Sequence, residues 1–288
     1  MGQPDLKVQL RRGYLGPPPE KNKAKVQQAP VSVETTKDDV LGVTDTSSEE
    51  LHTALSLGYK QTSAGNMQLT SAVQVSAQSA SGSGGTVVVN VLGAVFDSRG
   101  KAVGSFRQRV EVARTQLNAT PVYTGVNHQV DVPPGLYQVR AIAAERGTTH
   151  LTAAMDWIEV PKLKTGTFSL SSLYVGEISA SGSGEQIGVN ASQRFARSSR
   201  MRFTTYIYNA GTPPKLAAQI KVLRGNQPVL TPPETTISTD KLTNFTNIPY
   251  AGQFPLGSLT PGNYVLELTI TDRATNATAS QQLNFSIY

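Results

Sequence analysis

The sequence predicts an all-β chain of two tandem β-sandwiches behind an extended N-terminal segment. Three observations predict it. Short apolar–polar alternating runs, rich in Val, Thr, Tyr and Phe, recur from residue 56 onward. Turn formers separate them, with Gly 25 and Pro 17 among 288 residues. A Pro-Gly-x-Tyr strand opening occurs twice, as Pro134-Gly135-Leu136-Tyr137 and Pro261-Gly262-Asn263-Tyr264. The length suits about two domains, each large enough to bury its own core.

The elements follow in order. Residues 1–15 hold one lone strand, in which Leu6, Val8 and Leu10 alternate with polar residues. A lone strand is unstable without neighbours, so this one reads as the last strand of a missing upstream domain or as a strand that docks onto a later one. Residues 16–46 read as a flexible linker opening on Pro17-Pro18-Pro19. Ser47 and Glu50 have capping-box spacing and predict a short helix over Ser48–Leu55.

The first sandwich is expected within 47–177. Its strands are Met67–Val75, Thr86–Phe96, Val103–Val112, Val126–Val132, Tyr137–Ala144, Thr149–Val160 and Thr167–Val175. Thr86–Phe96 is nearly continuous apolar sequence, as in a central strand covered on both faces. Asp97-Ser98-Arg99-Gly100 is a turn, and Leu151, Ala153, Met155 and Trp157 share one strand face. The second sandwich is expected within 186–288. Its strands are Arg202–Tyr208, Ala217–Leu223, Thr235–Thr239, Gln253–Leu256, Tyr264–Thr271 and Ala279–Tyr288, with a turn at Arg224-Gly225-Asn226-Gln227.

The repeated opening keeps its register as far as Glu145-Arg146 and Asp272-Arg273, which indicates a duplicated unit. Pro fixes φ, Gly permits the bend, and Tyr enters the strand ring-inward. Such a tyrosine resembles the tyrosine corner of immunoglobulin-like and fibronectin III-like sandwiches, where the hydroxyl bonds back to upstream backbone. Pro134, Gly135, Tyr137, Pro261, Gly262 and Tyr264 are therefore the structural site candidates. Glu145 and Asp272 end equivalent strands and are expected to serve the turns that follow. Ala80-Ser81-Gly82-Ser83-Gly84 and Ala180-Ser181-Gly182-Ser183-Gly184 read as loops, because a phosphate cradle would need a Lys-Ser/Thr pair opening a helix.

Catalytic, metal and cofactor motifs are not found. With Cys 0, disulfides, cysteine-ligated zinc and thiol catalysis are excluded. His52, His128 and His150 lack partners at ligand spacing, and no Gly-x-Ser-x-Gly elbow exists. A deep pocket joining His150 or His128 to two carboxylates would instead mark an enzyme. The net charge of +6 is split between a basic 1–25 segment, an acidic 26–50 segment and a mildly basic remainder. This is not the clustered footprint of a nucleic-acid binder. Arg194, Arg197, Arg200 and Arg202 read as a solvated edge that discourages sheet–sheet pairing. Asn118, Asn190, Asn244, Asn276 and Asn284 fit the glycosylation pattern, as chance matches in Ser/Thr-rich sequence do. The longest apolar run, Thr86–Phe96, is too short to span a bilayer, and Met1 is not followed by a signal peptide.

Several strings together resemble the von Willebrand factor A-related proteins of Acidobacteria. They are Asp5–Tyr14, Val91–Gly100, Pro133–Arg140, Trp157–Pro161, Leu170–Leu173, Tyr206–Ala210, Pro214–Leu216 and the closing Pro-Gly-x-Tyr strand. Such proteins carry an upstream A-type domain whose metal site is built on Asp-x-Ser-x-Ser. Here Asp45-Thr46-Ser47-Ser48-Glu49 lacks the second spaced serine, and no metal residue is carried over. The resemblance implies a secreted or envelope-associated, non-catalytic module, with export directed from upstream of Met1. It would bind a protein or cell-surface ligand through sandwich loops. A carbohydrate-binding module is the alternative, which an exposed Trp157 on a sheet face would favour and a buried one would oppose.

Overall fold

The computed structural model describes residues 50–288 apart from 63, 80–83, 118–120, 165, 179–188, 241 and 243. The strand expected at 5–14, the linker, both glycine–serine strings save Gly84, and Asn118 lie outside the described residues. The described residues form strands and no helix. None of them therefore forms a helix long and apolar enough to cross a membrane.

The first block contains β1 (Leu51–Gln61), β2 (Met67–Ser79), β3 (Gly85–Asp97), β4 (Ala102–Gln116), β5 (Thr124–Asp131), β6 (Gly135–Glu145) and β7 (Leu151–Val160). They form one sheet in the order β1-β2-β4-β3-β6-β7. The free edge of β2 is shared. Strand β5 pairs antiparallel with Gln68–Val75, and β4 pairs parallel with Ala77–Ser79. The sheet curls until β1 lies against β7. It is thus barrel-like, and differs from the two facing sheets expected for this block. Its interior holds Val73, Val75, Val89, Val91, Val112 and Ala141 toward one end, and Leu69, Val95, Tyr137, Val139 and Val160 toward the other.

Residues 51–61 form β1, not the helix expected over Ser48–Leu55. A capping box needs helical turns behind it, and this segment instead gains an eleven-residue antiparallel ladder with β2. The Asp97 turn forms as its residues dictate. The Asp97 carboxylate accepts the Arg99 and Lys101 amides at 2.9 Å each, and Gly100 takes φ 77°.

The second block contains β8 (Ser169–Leu170), β9 (Tyr174–Ile178), β10 (Arg194–Phe195), β11 (Arg200–Tyr208), β12 (Leu216–Arg224), β13 (Gln227–Leu230), β14 (Thr235–Thr236), β15 (Asn247–Pro255), β16 (Gly262–Asp272) and β17 (Ala277–Ile287). One sheet runs β10-β17-β16-β12-β13, with β14 also on β12. The other has β15 on one edge of β11, and β8 and β9 on the other. The core between them includes Phe195, Met201, Phe203, Ile207, Ile248, Leu266, Leu268 and Ile270. Thr167–Val175, read from sequence as the last strand of the first block, instead supplies β8 and the start of β9, Tyr174 and Val175. Both pair with β11, so the change of block falls between Val160 and Ser169.

A polar seam joins the blocks. The Tyr59 amide donates to Ser172 Oγ at 2.9 Å, and the Ser172 amide donates to the Tyr59 carbonyl at 3.1 Å. Gln61 N donates to the Tyr208 hydroxyl at 2.8 Å, and Gln281 Nε2 donates to the Tyr59 hydroxyl at 2.8 Å. Gln74 uses both ends of its amide. Nε2 donates to the Val189 carbonyl at 2.7 Å, and Oε1 accepts the Ala191 amide at 2.8 Å. Burial pushes the Tyr208 hydroxyl up to about 12, against the opposing effect of the Gln61 bond, so it stays protonated at neutral pH.

Candidate functional site

The two tyrosine openings make the same bond. Tyr137 donates to the Pro133 carbonyl at 2.6 Å, and Tyr264 donates to the Thr260 carbonyl at 2.6 Å. Both rings are buried, at 3% and 4% exposure. The backbones before them differ. Gly262 has φ 148°, whereas Gly135 is not in the positive-φ region. Arg224 lies over the Tyr264 ring at 5.8 Å and donates to Thr260 Oγ1 at 2.9 Å. These groups hold strand starts in place and surround no reacting centre.

The carboxylates that end these strands have different roles. Asp272 is fully buried and accepts amides from Gly211 at 2.7 Å, Lys215 at 3.2 Å and Ala274 at 3.0 Å. Burial alone would raise its pKa, but the backbone bonds and Thr275 outweigh it and hold the group below the ordinary carboxylate value. It organises the 209–215 loop as well as the following turn. Glu145 spans the turn after its strand, reaching His150 at the far end of the hairpin, and also meets a second strand. Oε1 accepts from Arg114 at 2.6 Å, and Oε2 lies 3.0 Å from His150 Nδ1.

His150 also lies 3.3 Å from Glu50 Oε2, so one ring nitrogen stands between two carboxylates. The β6–β7 hairpin brings Glu145 and His150 together, since the Glu145 amide bonds the His150 carbonyl at 3.0 Å. Arg114 arrives from β4 and Glu50 from the residue before β1. This is the arrangement that sequence reasoning reserved for an enzyme, without the pocket. The Glu145 side chain is only 7% exposed and is capped by Arg114. A base oriented by a carboxylate needs a reacting hydroxyl or water on its other nitrogen. Among the described residues, no hydroxyl is hydrogen-bonded to His150 Nε2. The cluster can, however, pin the start of β1 to the end of the β6–β7 hairpin.

The other histidines lie apart from this cluster. His52 is on β1, and His128 on β5 stacks on Phe106 with ring centroids 4.7 Å apart. Burial lowers the His128 pKa. Among the described residues, no three His, Asp or Glu side chains are placed to hold a metal ion. The four arginines read as an edge have separate surroundings. Arg194 sits on β10 over the Tyr288 ring at 5.6 Å, and Arg197 Nε donates to the Gly257 carbonyl at 3.1 Å. Arg200 and Arg202 lie on β11.

The face of the first sheet that points away from its barrel-like interior carries an apolar cluster of its own. Cross-strand rows there read Trp157–Gln138–Phe96, Met155–Arg140–Ala94, Ala153–Ile142–Leu92–Arg107 and Leu151–Ala144–Asn90–Arg109. Leu92, Ala94, Phe96, Ile142 and Ala153 form a cluster separate from the interior, built only from β3, β6 and β7. β3 is thus buried on both faces, in line with its continuous apolar sequence. Trp157 at 50%, Met155 at 46% and Leu136 at 45% exposure rim the cluster. Arg140 lies over the Phe96 ring at 5.3 Å and donates to Gln138 Oε1 at 2.8 Å. The shared face of Leu151, Ala153, Met155 and Trp157 was legible in the sequence; that it points outward was not. An open depression of about 460 Å³ lies elsewhere, on β16 and β17, lined by Gln193, Asn263, Val265, Asn284 and Ser286 among others. No family model matches the chain, and no curated protein matches it by sequence.

Proposed function

We propose that this chain is a non-catalytic interaction module, the downstream β-sandwich part of an exported, envelope-associated adhesion-type protein. The observation that carries the reading is the exposed Trp157–Met155–Leu136 rim on a sheet face braced from behind by a packed interior. Half-exposed Trp and Met on a rigid scaffold fit a binding surface better than a solvated one. The contact surface is a sheet face, where the sequence suggested end loops. The second block supports the immunoglobulin-like or fibronectin III-like reading. Its β15-β11-β9 sheet faces a β17-β16-β12-β13 sheet, and Tyr264 bonds back by four residues. The first block is then a more strongly curled relative of the same duplicated unit. The resemblance to von Willebrand factor A-related proteins supports the exported context and a protein or cell-surface partner.

Carbohydrate binding is the second reading. The exposed indole on a sheet face favours it, since sugar rings stack on such platforms. One experiment addresses both. The full chain, fluorescently labelled, is titrated onto intact Gram-negative cells. Saturable binding that falls about tenfold in Trp157→Ala is expected. Absent binding, or equal binding by the variant, overturns the proposal. Competition by soluble envelope polysaccharide selects the carbohydrate reading, and loss of binding after protease treatment of the cells selects a protein partner.

A further inference from the structure

We propose that the depression on β16 and β17 of the second block binds an uncharged sugar, at a site separate from the Trp157 face. The depression measures about 460 Å³ and lies on the outward side of these strands. Tyr264, Leu266, Leu268 and Ile270 of β16 point into the core, so Asn263 and Val265 point out. Phe285 and Ile287 of β17 also point inward, so Asn284 and Ser286 point out beside them. Asn263 is level with Ser286, and Val265 with Asn284. Two loops flank this floor. Ser192 and Gln193 lie on the β17 side, where the Ser286 amide donates to the Gln193 carbonyl at 2.9 Å. Gly225, in the β12–β13 turn, lies on the β16 side.

The polar groups here differ from those on the rest of the face. Further along the same two strands, side chains directly opposite bond one another. Gln282 donates to Glu267 at 2.8 Å, and the hydroxyls of Thr269 and Ser280 lie 2.9 Å apart, those of Thr271 and Thr278 3.4 Å. Asn263 and Ser286 are opposite in the same way, yet they stay open. Within the depression, the Asn263 and Asn284 carboxamides and the Ser286 hydroxyl bond no other described side chain or backbone group. They offer several donors and acceptors at short spacing, beside the half-buried Val265.

The lining selects the ligand class. No side chain that lines the depression carries a formal charge, so neither an anion nor a cation finds a counter-charge there. A purely apolar ligand would leave the amides and the hydroxyl without partners. An extended peptide adds to a free strand edge, but β16 is paired with β12 and β17, and this end of β17 with β10 and β16. A neutral sugar meets each condition. Its hydroxyls both donate and accept, as carboxamides do, and its C–H face can rest on Val265.

The full chain, isotopically labelled, is titrated with maltohexaose, cellohexaose and mannohexaose and followed by NMR. The side-chain amide signals of Asn263 and Asn284 should shift with at least one of them, with a Kd of roughly 1 mM. Asn263→Ala combined with Asn284→Ala should weaken that binding about tenfold, with the circular dichroism melt unchanged. Trp157→Ala should leave it unaltered, because Trp157 lies on β7 of the first sheet. No shift with any of the three at about 20 mM, roughly twenty times that Kd, overturns the proposal. So does equal binding by the double alanine variant, or tighter binding of polygalacturonate than of the neutral probes. Sugar binding lost in Trp157→Ala and kept in the double alanine variant would place the sugar on the first sheet. That result removes this site and leaves the reading above standing.

Discussion

Tyr137 and Tyr264 reach the same geometry from the same four-residue opening, although one sits in a curled single sheet and the other between two facing sheets. Each hydroxyl bond spans four residues and ties a strand to the chain leading into it. Replacing either tyrosine by Phe keeps the ring and deletes one buried bond, so each variant should lose about 1 kcal/mol in urea unfolding. Asp272 carries more. Three amides from two segments converge on a fully buried carboxylate, and Asp272→Ala should cost about 3 kcal/mol. The pH dependence follows from its lowered pKa. A group whose folded pKa lies below its unfolded value of about 3.9 stabilises fully above that pH and loses the contribution as pH falls through the folded value. Unfolding free energy should therefore fall below about pH 4, and Asp272→Asn should flatten that acid limb. The two tyrosine openings were legible because their chemistry is local. The Asp272 anchor was half legible: its turn was, but its bonds to Gly211 and Lys215 belong to a loop about sixty positions away. Of the Glu145–His150–Arg114–Glu50 cluster, only Glu145 and His150 lie close enough in sequence for a hairpin reading to pair them.

Among the elements, β1 shows how tertiary partners override local signals. Leu51–Gln61 lacks clean alternation and carries a helix-start signal just ahead of it. Its strand form comes from β2 on one edge and from the second block at its end. Gly58 marks that second contact, because the Tyr174 ring of β9 lies where a side chain would begin. An added Cβ would stand 2.7 Å from Tyr174 Cε1. Gly58→Val should thus destabilise by about 2 kcal/mol through overpacking, measured by thermal unfolding. Tyr174→Ala in the same chain should recover part of that loss, which would locate the clash at the seam. β8 and β9 were misplaced for a related reason. They follow the first block in sequence, but their open hydrogen-bonding edges match β11, and a two-residue strand such as β8 carries no pattern of its own.

At the scale of the whole molecule, all-β character and the main strands were legible because alternation and turn chemistry are encoded locally. The curl of the first sheet and the seam between blocks were not, since both depend on pairings across many residues. Gln74 makes the seam measurable. Its amide grips Val189 and Ala191, more than one hundred positions away. The wild-type chain should unfold in one calorimetric transition, with both blocks coupled through these bonds. Gln74→Ala combined with Ser172→Ala should split it into two transitions.

The seam also has a mechanical meaning. A chain that joins a surface to a partner carries tension, and its weakest connection yields first. Here a few short polar bonds bridge the blocks, beside the covalent connection between β7 and β8. Under a pull, those bonds would part before either sheet unravels, leaving the connection between β7 and β8 to take the load. Because both blocks keep their folds in that step, the bonds could close again when the pull relaxes. The seam would then act as a reversible joint between the two blocks.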